Sequence, residues 1–213
     1  MTTYDIEPQI ALFGDLEVRW DERVLRPRLW TTAQSHWAAA LSPSCPEGPV
    51  LELFCGAGQI GLLVASLTGR RLIQVDNHAV ATAYARRNAE AAGVAADVRT
   101  ASVEDALAAG ERAALVVLDP PWVPTEQVGL FPEDPITAID GGPDGTGLLV
   151  PGLEVALRHL LPGGHVVAQV GHADQVEVVR RLLARPDASG RSWVVRETRA
   201  YLPDGILLDI GPA

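Results

Sequence analysis

The sequence predicts an α/β fold, a doubly wound, mostly parallel sheet of seven strands, and three observations predict it. From Val50 onward, short apolar runs alternate with helical segments. The runs are mostly apolar, as strands covered on both faces require. The chain has 213 residues, 47% of them hydrophobic, enough for one buried core. Val50 to Phe54 reads as a strand, followed by a glycine turn and an apolar helix from Gln59 to Leu67. A strand from Arg71 to Val75 and an Ala-rich helix from Val80 to Ala92 come next. They lead into a strand at Ala96 to Thr100, a short helix at Val103 to Ala109 and a strand from Ala114 to Leu118. A helix from Leu148 to Leu161 stops at Pro162-Gly163-Gly164 and feeds a fifth strand, His165 to Val170. Ser192 to Thr198 and Ile206 to Ile210 flank Pro203-Asp204-Gly205, which predicts a closing antiparallel hairpin. Upstream, Gly14 to Leu29 alternates around Asp21-Glu22 as a short N-terminal hairpin would. A helix over Thr31 to Leu41 follows, capped by Thr31 or Thr32 and turning Trp37, Ala40 and Leu41 inward. Ser42 to Pro49 is rich in Pro, Ser and Gly and breaks either element. The expected division is a hairpin-and-helix extension over 1–48 and a ligand-binding catalytic domain over 49–213.

Charge and composition narrow the function. Seventeen Lys and Arg face 27 Asp and Glu, a formal charge of −10, with no basic run. That disfavours a large nucleic acid gripped through its phosphates. The longest apolar runs, such as Leu115 to Leu118, fall far short of the roughly 20 residues of a bilayer span. No membrane association, secretory signal or disulfide framework is expected, and the location expected is cytoplasmic. The five histidines are scattered without metal-ligand spacing, so no metal is expected. Cys55 reads as a small packing residue.

The chemistry concentrates at strand ends. Glu52-Leu53-Phe54-Cys55-Gly56-Ala57-Gly58 sits where a strand becomes a helix, so glycines there let a ligand approach the backbone and the helix N-terminus offers free N–H groups. Asp76 ends the next strand, where a carboxylate can accept hydrogen bonds from both hydroxyls of a ribose. A dinucleotide and S-adenosylmethionine both fit this half of the site, because Gly61 completes the spacing of the dinucleotide fingerprint. Asp119-Pro120-Pro121-Trp122, after the fourth strand, selects between them. Paired prolines stiffen the backbone, and a carboxylate beside an aromatic face suits a planar nitrogen whose lone pair is aimed at an electrophilic methyl.

These motifs resemble those of class I S-adenosylmethionine-dependent methyltransferases with a Rossmann-like sheet, and within them the HemK-like glutamine methyltransferases that modify release factors. Val24-Leu25-Arg26-Pro27-Arg28-Leu29-Trp30-Thr31 is similar to that family's V-L-x-P-R-P-E-T, with Leu29 and Trp30 in place of Pro and Glu. Asp119-Pro120-Pro121-Trp122 resembles N-P-P-Y, in which asparagine and tyrosine receive the substrate amide. Ala138 to Gly145 is similar to the A-L-x-G-G-x-D-G segment that follows it. The resemblance implies S-adenosyl-L-methionine as cofactor, held by Thr31, Glu52, Phe54, Gly56, Gly58, Asp76, Asn77, Ser102, Val103 and Asp119. It implies Asp119, Pro120, Pro121 and Trp122 as the catalytic segment. Ser102 stands where an aspartate commonly meets the adenine amine.

Two departures bear on the substrate. An ionised Asp119 only accepts hydrogen bonds where asparagine also donates, and Trp122 lacks the phenol of tyrosine. The helical N-terminal domain of the bacterial release-factor enzymes is not expected to have a counterpart among these residues. The leading expectation is therefore N-methylation of a small-molecule amine or amino-heterocycle. The alternatives are N-methylation of protein glutamine or of an RNA base, a cyclase reaction in which S-adenosylmethionine releases methylthioadenosine, and a non-enzymatic module that keeps the cofactor pocket. RNA guanine methyltransferases carry similar L-F-A-G-x-G and D-P-P-Y motifs. Trp20, Trp30 and Trp37 read as packing residues or as an aromatic lid over the sulfonium. A homodimer is left open as a partner.

Overall fold

A computed structural model describes residues 6–187 and 189–213 of the chain. Two strands, β1 (Gln9–Phe13) and β2 (Leu16–Trp20), form an antiparallel hairpin, followed by α1 (Thr32–Leu41). The main sheet is built from β3 (Val50–Leu53), β4 (Leu72–Asp76), β5 (Ala96–Thr100), β6 (Ala113–Leu118), β7 (Leu160–Val170), β8 (Trp193–Tyr201) and β9 (Gly205–Pro212). Its spatial order is β5-β4-β3-β6-β7-β9-β8, parallel from β5 to β7 and antiparallel at β9 and β8. The helices α2 (Gln59–Thr68), α3 (Ala79–Ala91), α4 (Ile136–Ile139), α5 (Leu149–His159) and α6 (Ala173–Leu183) complete the fold. The predicted seven-stranded, doubly wound architecture is therefore present.

Alternation along the strands sorts the core into two layers. Leu51, Leu53, Val116, Leu118 and Ala168 face α5 and α6, where Leu153, Val155 and Val176 bury them. Val50, Leu72, Leu115, Val117 and Val167 face α1, α2 and α3, against Trp37, Leu62 and Tyr84. Phe13, Val18 and Val24 join this second layer, so the N-terminal hairpin packs on the same core as α2 and α3.

Several boundaries differ from expectation. The hairpin turns at Gly14, whose φ of 58° suits glycine, and not at Asp21-Glu22. Asp21 is instead buried, paired with Arg23 and accepting the Tyr84 hydroxyl. No helix forms at 103–109. Arg99 donates to the Ala106 carbonyl, and the Ala108 N–H turns to the Glu111 carboxylate, which diverts backbone groups from a helical ladder. Helix α5 ends at His159, and β7 already begins at Leu160, carrying Pro162-Gly163-Gly164 as an irregularity opposite Ala113 and Leu115. The sequence reading passed over α6 altogether.

On the α2 face of the sheet lies a buried carboxyl, Glu52, which accepts from the Gln74 side-chain amide at 2.6 Å. Burial pushes its pKa up from 4.5 to about 7, against the pull of that hydrogen bond. The folded chain thus holds a proton that the unfolded chain releases. The associated stability is complete below pH 4.5 and is lost as the pH rises through about 7. The shift corresponds to about 3 kcal/mol. In urea unfolding from about pH 5 to about pH 8, the native protein should lose more stability than Glu52→Gln. Equal losses in both would show that Glu52 does not titrate in this range.

Candidate active site

The strand-to-helix turn after β3 is shaped from beneath. Phe54 adopts φ 58°, and Gly58 lies at φ 87°, where a Cβ would stand 2.6 Å from the Gln74 amide nitrogen and 3.1 Å from Ala85. A Cβ on Gly61 would lie 2.5 Å from the Glu52 carboxylate. Glu52 therefore props the turn and first helical residues from inside, and its side chain lines neither cavity described below. Gly56 is the opposite case, since a Cβ there would meet nothing within 4 Å. Its open side faces a cavity.

Asp76, at the end of β4, accepts from the Gly56 N–H and the His78 N–H, both at 2.9 Å. Desolvation raises its pKa, and these two N–H groups offset part of the rise. A carboxylate has about four lone-pair sites, so two remain for the hydroxyls of a ribose. Phe54, Gly56, Asp76, Asn77, Gln59 and Asp119 line this first cavity, of about 410 Å³. The half-spent carboxylate, the open glycine backbone and the size of the cavity fit the nucleoside part of S-adenosylmethionine.

A second cavity, of about 330 Å³, adjoins the first, and Gln59, Asp119 and Pro121 belong to both. Trp30, Thr31, Pro120, Trp122, Gln169 and His172 line its other walls. Asp119 follows β6 on the face that carries Leu115 and Val117. Burial pushes its pKa from 3.8 to about 7, with Arg28 pulling weakly in the opposite direction. Arg28 is ion-paired with Asp134, which ties the segment before α1 to the loop before α4. Trp30 packs over Gly205, where a Cβ would stand 2.8 Å from the ring, so the N-terminal segment and the β8–β9 turn meet at the cavity wall.

Glycines and one glutamine hold the catalytic segment. A Cβ on Gly171 would lie 2.1 Å from the Trp122 indole, and a Cβ on Gly145 would lie 2.1 Å from the Trp122 carbonyl oxygen. His172 meets the indole edge-on at 5.6 Å. The Gln175 amide donates to the Trp122 and Gly145 carbonyls and accepts from the Gly171 N–H. Val123 donates to Ile139 and Gly141 to Val123, which zips the 138–145 segment against Asp119 to Trp122. Here the family-like glycines have a packing reason.

The structure brings together Phe54, Gly56, Asp76, Asn77, Asp119, Pro121 and Trp122 around the paired cavities. Gly58 shapes the turn behind them. Thr31 lies on the second cavity, its hydroxyl donating to the Arg28 carbonyl, and not on the cavity that holds Asp76. Ser102 bonds to Asp105, and Val103 is buried in the core; neither lines the paired cavities. Of the three tryptophans, Trp30 lines the second cavity, Trp37 is buried in the core and Trp20 packs against that core. Cys55 is buried with its thiol pushed well up by desolvation, as a packing role requires. Gln59, Gln169 and Gln175 escaped the sequence reading, although a glutamine inside the apolar run His165 to Val170 is a visible signal. Among the described residues no cluster of His, Cys, Asp or Glu could hold a metal, and no helix is long and apolar enough to cross a membrane.

The Methyltransferase small domain family matches residues 36–131. The release factor glutamine methyltransferase of Mycolicibacterium smegmatis is 33% identical over 207 residues, spanning 89% of this chain and 72% of that protein. The protein of the same description from Gloeobacter violaceus is 32% identical over 194 residues, spanning 88% and 68%. The Pyrococcus abyssi tRNA (uracil-54, C5)-methyltransferase in complex with S-adenosyl-L-homocysteine superposes with a TM-score of 0.62 over 97% of this chain and 45% of that one, at 17% identity. That likeness concerns the fold. The two named relatives act on a protein, so the expectation of a small-molecule substrate finds no support among them. The paired cavities, the glycine turn with its ribose-competent carboxylate and these relatives together assign the chain to the HemK-like, release factor glutamine methyltransferase family of class I S-adenosylmethionine-dependent methyltransferases.

Proposed function

We propose that this methyltransferase N-methylates the side-chain amide of a protein glutamine, with a neutral Asp119 taking the place of the family's asparagine. The observation that carries the reading is the half-buried carboxyl of Asp119, at the junction of the two cavities, whose desolvation raises its pKa to about 7. A protonated carboxyl presents one donor and one acceptor, as an asparagine amide does. The departure that pointed towards an amine substrate thus loses its force.

S-adenosylmethionine supplies an electrophilic methyl group when bound. Asp76 accepts from its ribose hydroxyls, while Phe54, Gly56 and Asn77 form the rest of that wall. Asp119 donates its O–H to the substrate amide oxygen, which fixes the amide plane. Pro120 and Pro121 keep that donor rigid, and Trp30 and Trp122 close the flanks against water. The amide nitrogen, held in place by Asp119, would release one N–H proton to water on taking the methyl group that S-adenosylmethionine would supply. The catalytic contribution is mainly alignment at about 3 Å. Within the chain, residues 23–31 of the N-terminal extension then serve as one wall of the catalytic unit.

A protein substrate also suits the rim. Leu29, Leu130, Ile136 and Leu202, which are 62–73% exposed, lie in segments that line the two cavities. Large exposed apolar side chains gathered at a cavity mouth suit a polypeptide better than a free amine.

Incubation with S-adenosylmethionine and a purified bacterial release factor should yield S-adenosylhomocysteine and one added methyl group on a glutamine, read by peptide mass spectrometry. Methylthioadenosine as the product, or methylation confined to free amines, would overturn the reading. With the amide substrate, the rate should fall as the pH rises through about 7 and Asp119 ionises. Asp119→Asn should stay active with a flat profile, whereas Asp119→Ala should lose turnover and still bind S-adenosylhomocysteine. A rate that instead climbs through that range would indicate an ionised Asp119 acting on an amine. Asp76→Ala should weaken S-adenosylhomocysteine binding by about 3 kcal/mol in calorimetry, two hydrogen bonds to a charged acceptor having been lost.

A further inference from the structure

Four buried side-chain oxygens find no hydrogen-bond donor among the described residues, and each is the Oε1 of a glutamine: Gln34, Gln59, Gln74 and Gln169. Two of these amides are engaged through their nitrogens. Gln34 donates to the Leu118 and Val167 carbonyls, and Gln74 donates to Glu52 and the Gly58 carbonyl. Gln59 and Gln169 differ in position, because both line the cavity that Asp119 and Trp122 share. Their relative exposures are only 9% and 3%.

Register places them on either side of Asp119. Leu118 pairs with Ala168, so Gln169 follows beside Asp119 on the same sheet face. On the other flank Leu53 of β3 pairs with Leu118, and Gln59 opens α2 just beyond that strand. Two buried acceptors without donors flank a carboxyl for which no hydrogen-bond donor is found either. A buried acceptor left unpaired is destabilising by about 1–3 kcal/mol, and such groups persist in native sites where a ligand satisfies them.

We propose that Gln59 and Gln169 are specificity-determining acceptors that take the two N–H hydrogens of a primary amide whose oxygen meets Asp119. The proposal rests on the glutamine reading for the identity of the substrate. It adds that the chain selects an unsubstituted nitrogen. Once one methyl has been transferred, one acceptor loses its hydrogen and faces a methyl group, so the product binds less well and a second transfer is disfavoured.

The test needs no turnover. Side-chain amide resonances of 15N-labelled protein, in the presence of S-adenosylhomocysteine, are followed during titration with propionamide and with N,N-dimethylpropionamide. Propionamide should shift the Gln59 and Gln169 resonances and bind at least about tenfold more tightly than its dimethyl analogue. Gln169→Met should reduce that preference, Gln59 remaining as the second acceptor, and Gln169→Glu, which keeps an oxygen acceptor, should retain it in full. S-adenosylhomocysteine affinity should be unchanged in Gln169→Met, because Gln169 lines only the second cavity. Loss of that affinity would mark a folding defect and leave the decision to the wild-type and Gln169→Glu titrations. Equal binding of the two amides, no response at either glutamine, or a preference undiminished in Gln169→Met would overturn the proposal. A release factor left unmethylated by a protein that still prefers propionamide would overturn the glutamine reading alone.

Discussion

The seating of α2 against the sheet is the constraint on which the rest of this structure depends. Gln74 donates at once to buried Glu52 and to the Gly58 carbonyl, and the Glu52 carboxylate lies where any side chain on Gly61 would have to stand. The helix can approach β3 and β4 only because these positions carry no Cβ. That approach sets where the preceding turn lies. It leaves Gly56 facing open space, lets its N–H reach Asp76 and starts α2 with Gln59 at the junction of the two cavities. A buried carboxyl in this place is stabilising through geometry, while its own desolvation opposes the charged form.

The second half of the site is assembled from segments remote in sequence. Parallel strands bring Asp119 and Gln169 side by side, the common property of the carboxyl ends of such a sheet. The walls come from elsewhere. Trp30 packs on Gly205, Arg28 pairs with Asp134, and Gln175 ties Trp122 to both Gly145 and Gly171. Among the described residues, buried side-chain oxygens without a donor occur here at Gln59 and Gln169, beneath the glycine turn at Gln74, and on α1 at Gln34. Asp119 illustrates the consequence: desolvation raises the pKa of a residue that reads as an ordinary anion in sequence.

Legibility followed physical locality. Strand β6 is a continuous apolar run, β3 and β4 are largely apolar and β4 ends in a marked carboxylate, so their places and parallel pairing were readable. The 103–109 stretch looked helical, yet Arg99 and Glu111 capture its backbone groups, and this competition is invisible without the neighbouring strand. The hairpin turn was misplaced because Asp21-Glu22 has turn-like composition, whereas Asp21 is drawn inside by Arg23 and Tyr84. Thr31 and Glu52 were read as cofactor contacts from motif position. The first borders the neighbouring cavity, and the second lies under the turn.

By itself, the sequence determined the doubly wound sheet, the glycine turn, the carboxylate at the end of β4 and the Asp-Pro-Pro-Trp segment, because each rests on residues adjacent in the chain. It also determined the acidic charge that sets this protein apart from phosphate-gripping proteins. Only the tertiary structure decided the raised pKa of Asp119, the unpaired oxygens of Gln59 and Gln169, and the closing of the site by Trp30 and the β8–β9 turn. Desolvation and hydrogen-bond satisfaction are properties of what surrounds a group, and those surroundings come from strands, helices and loops distant in sequence.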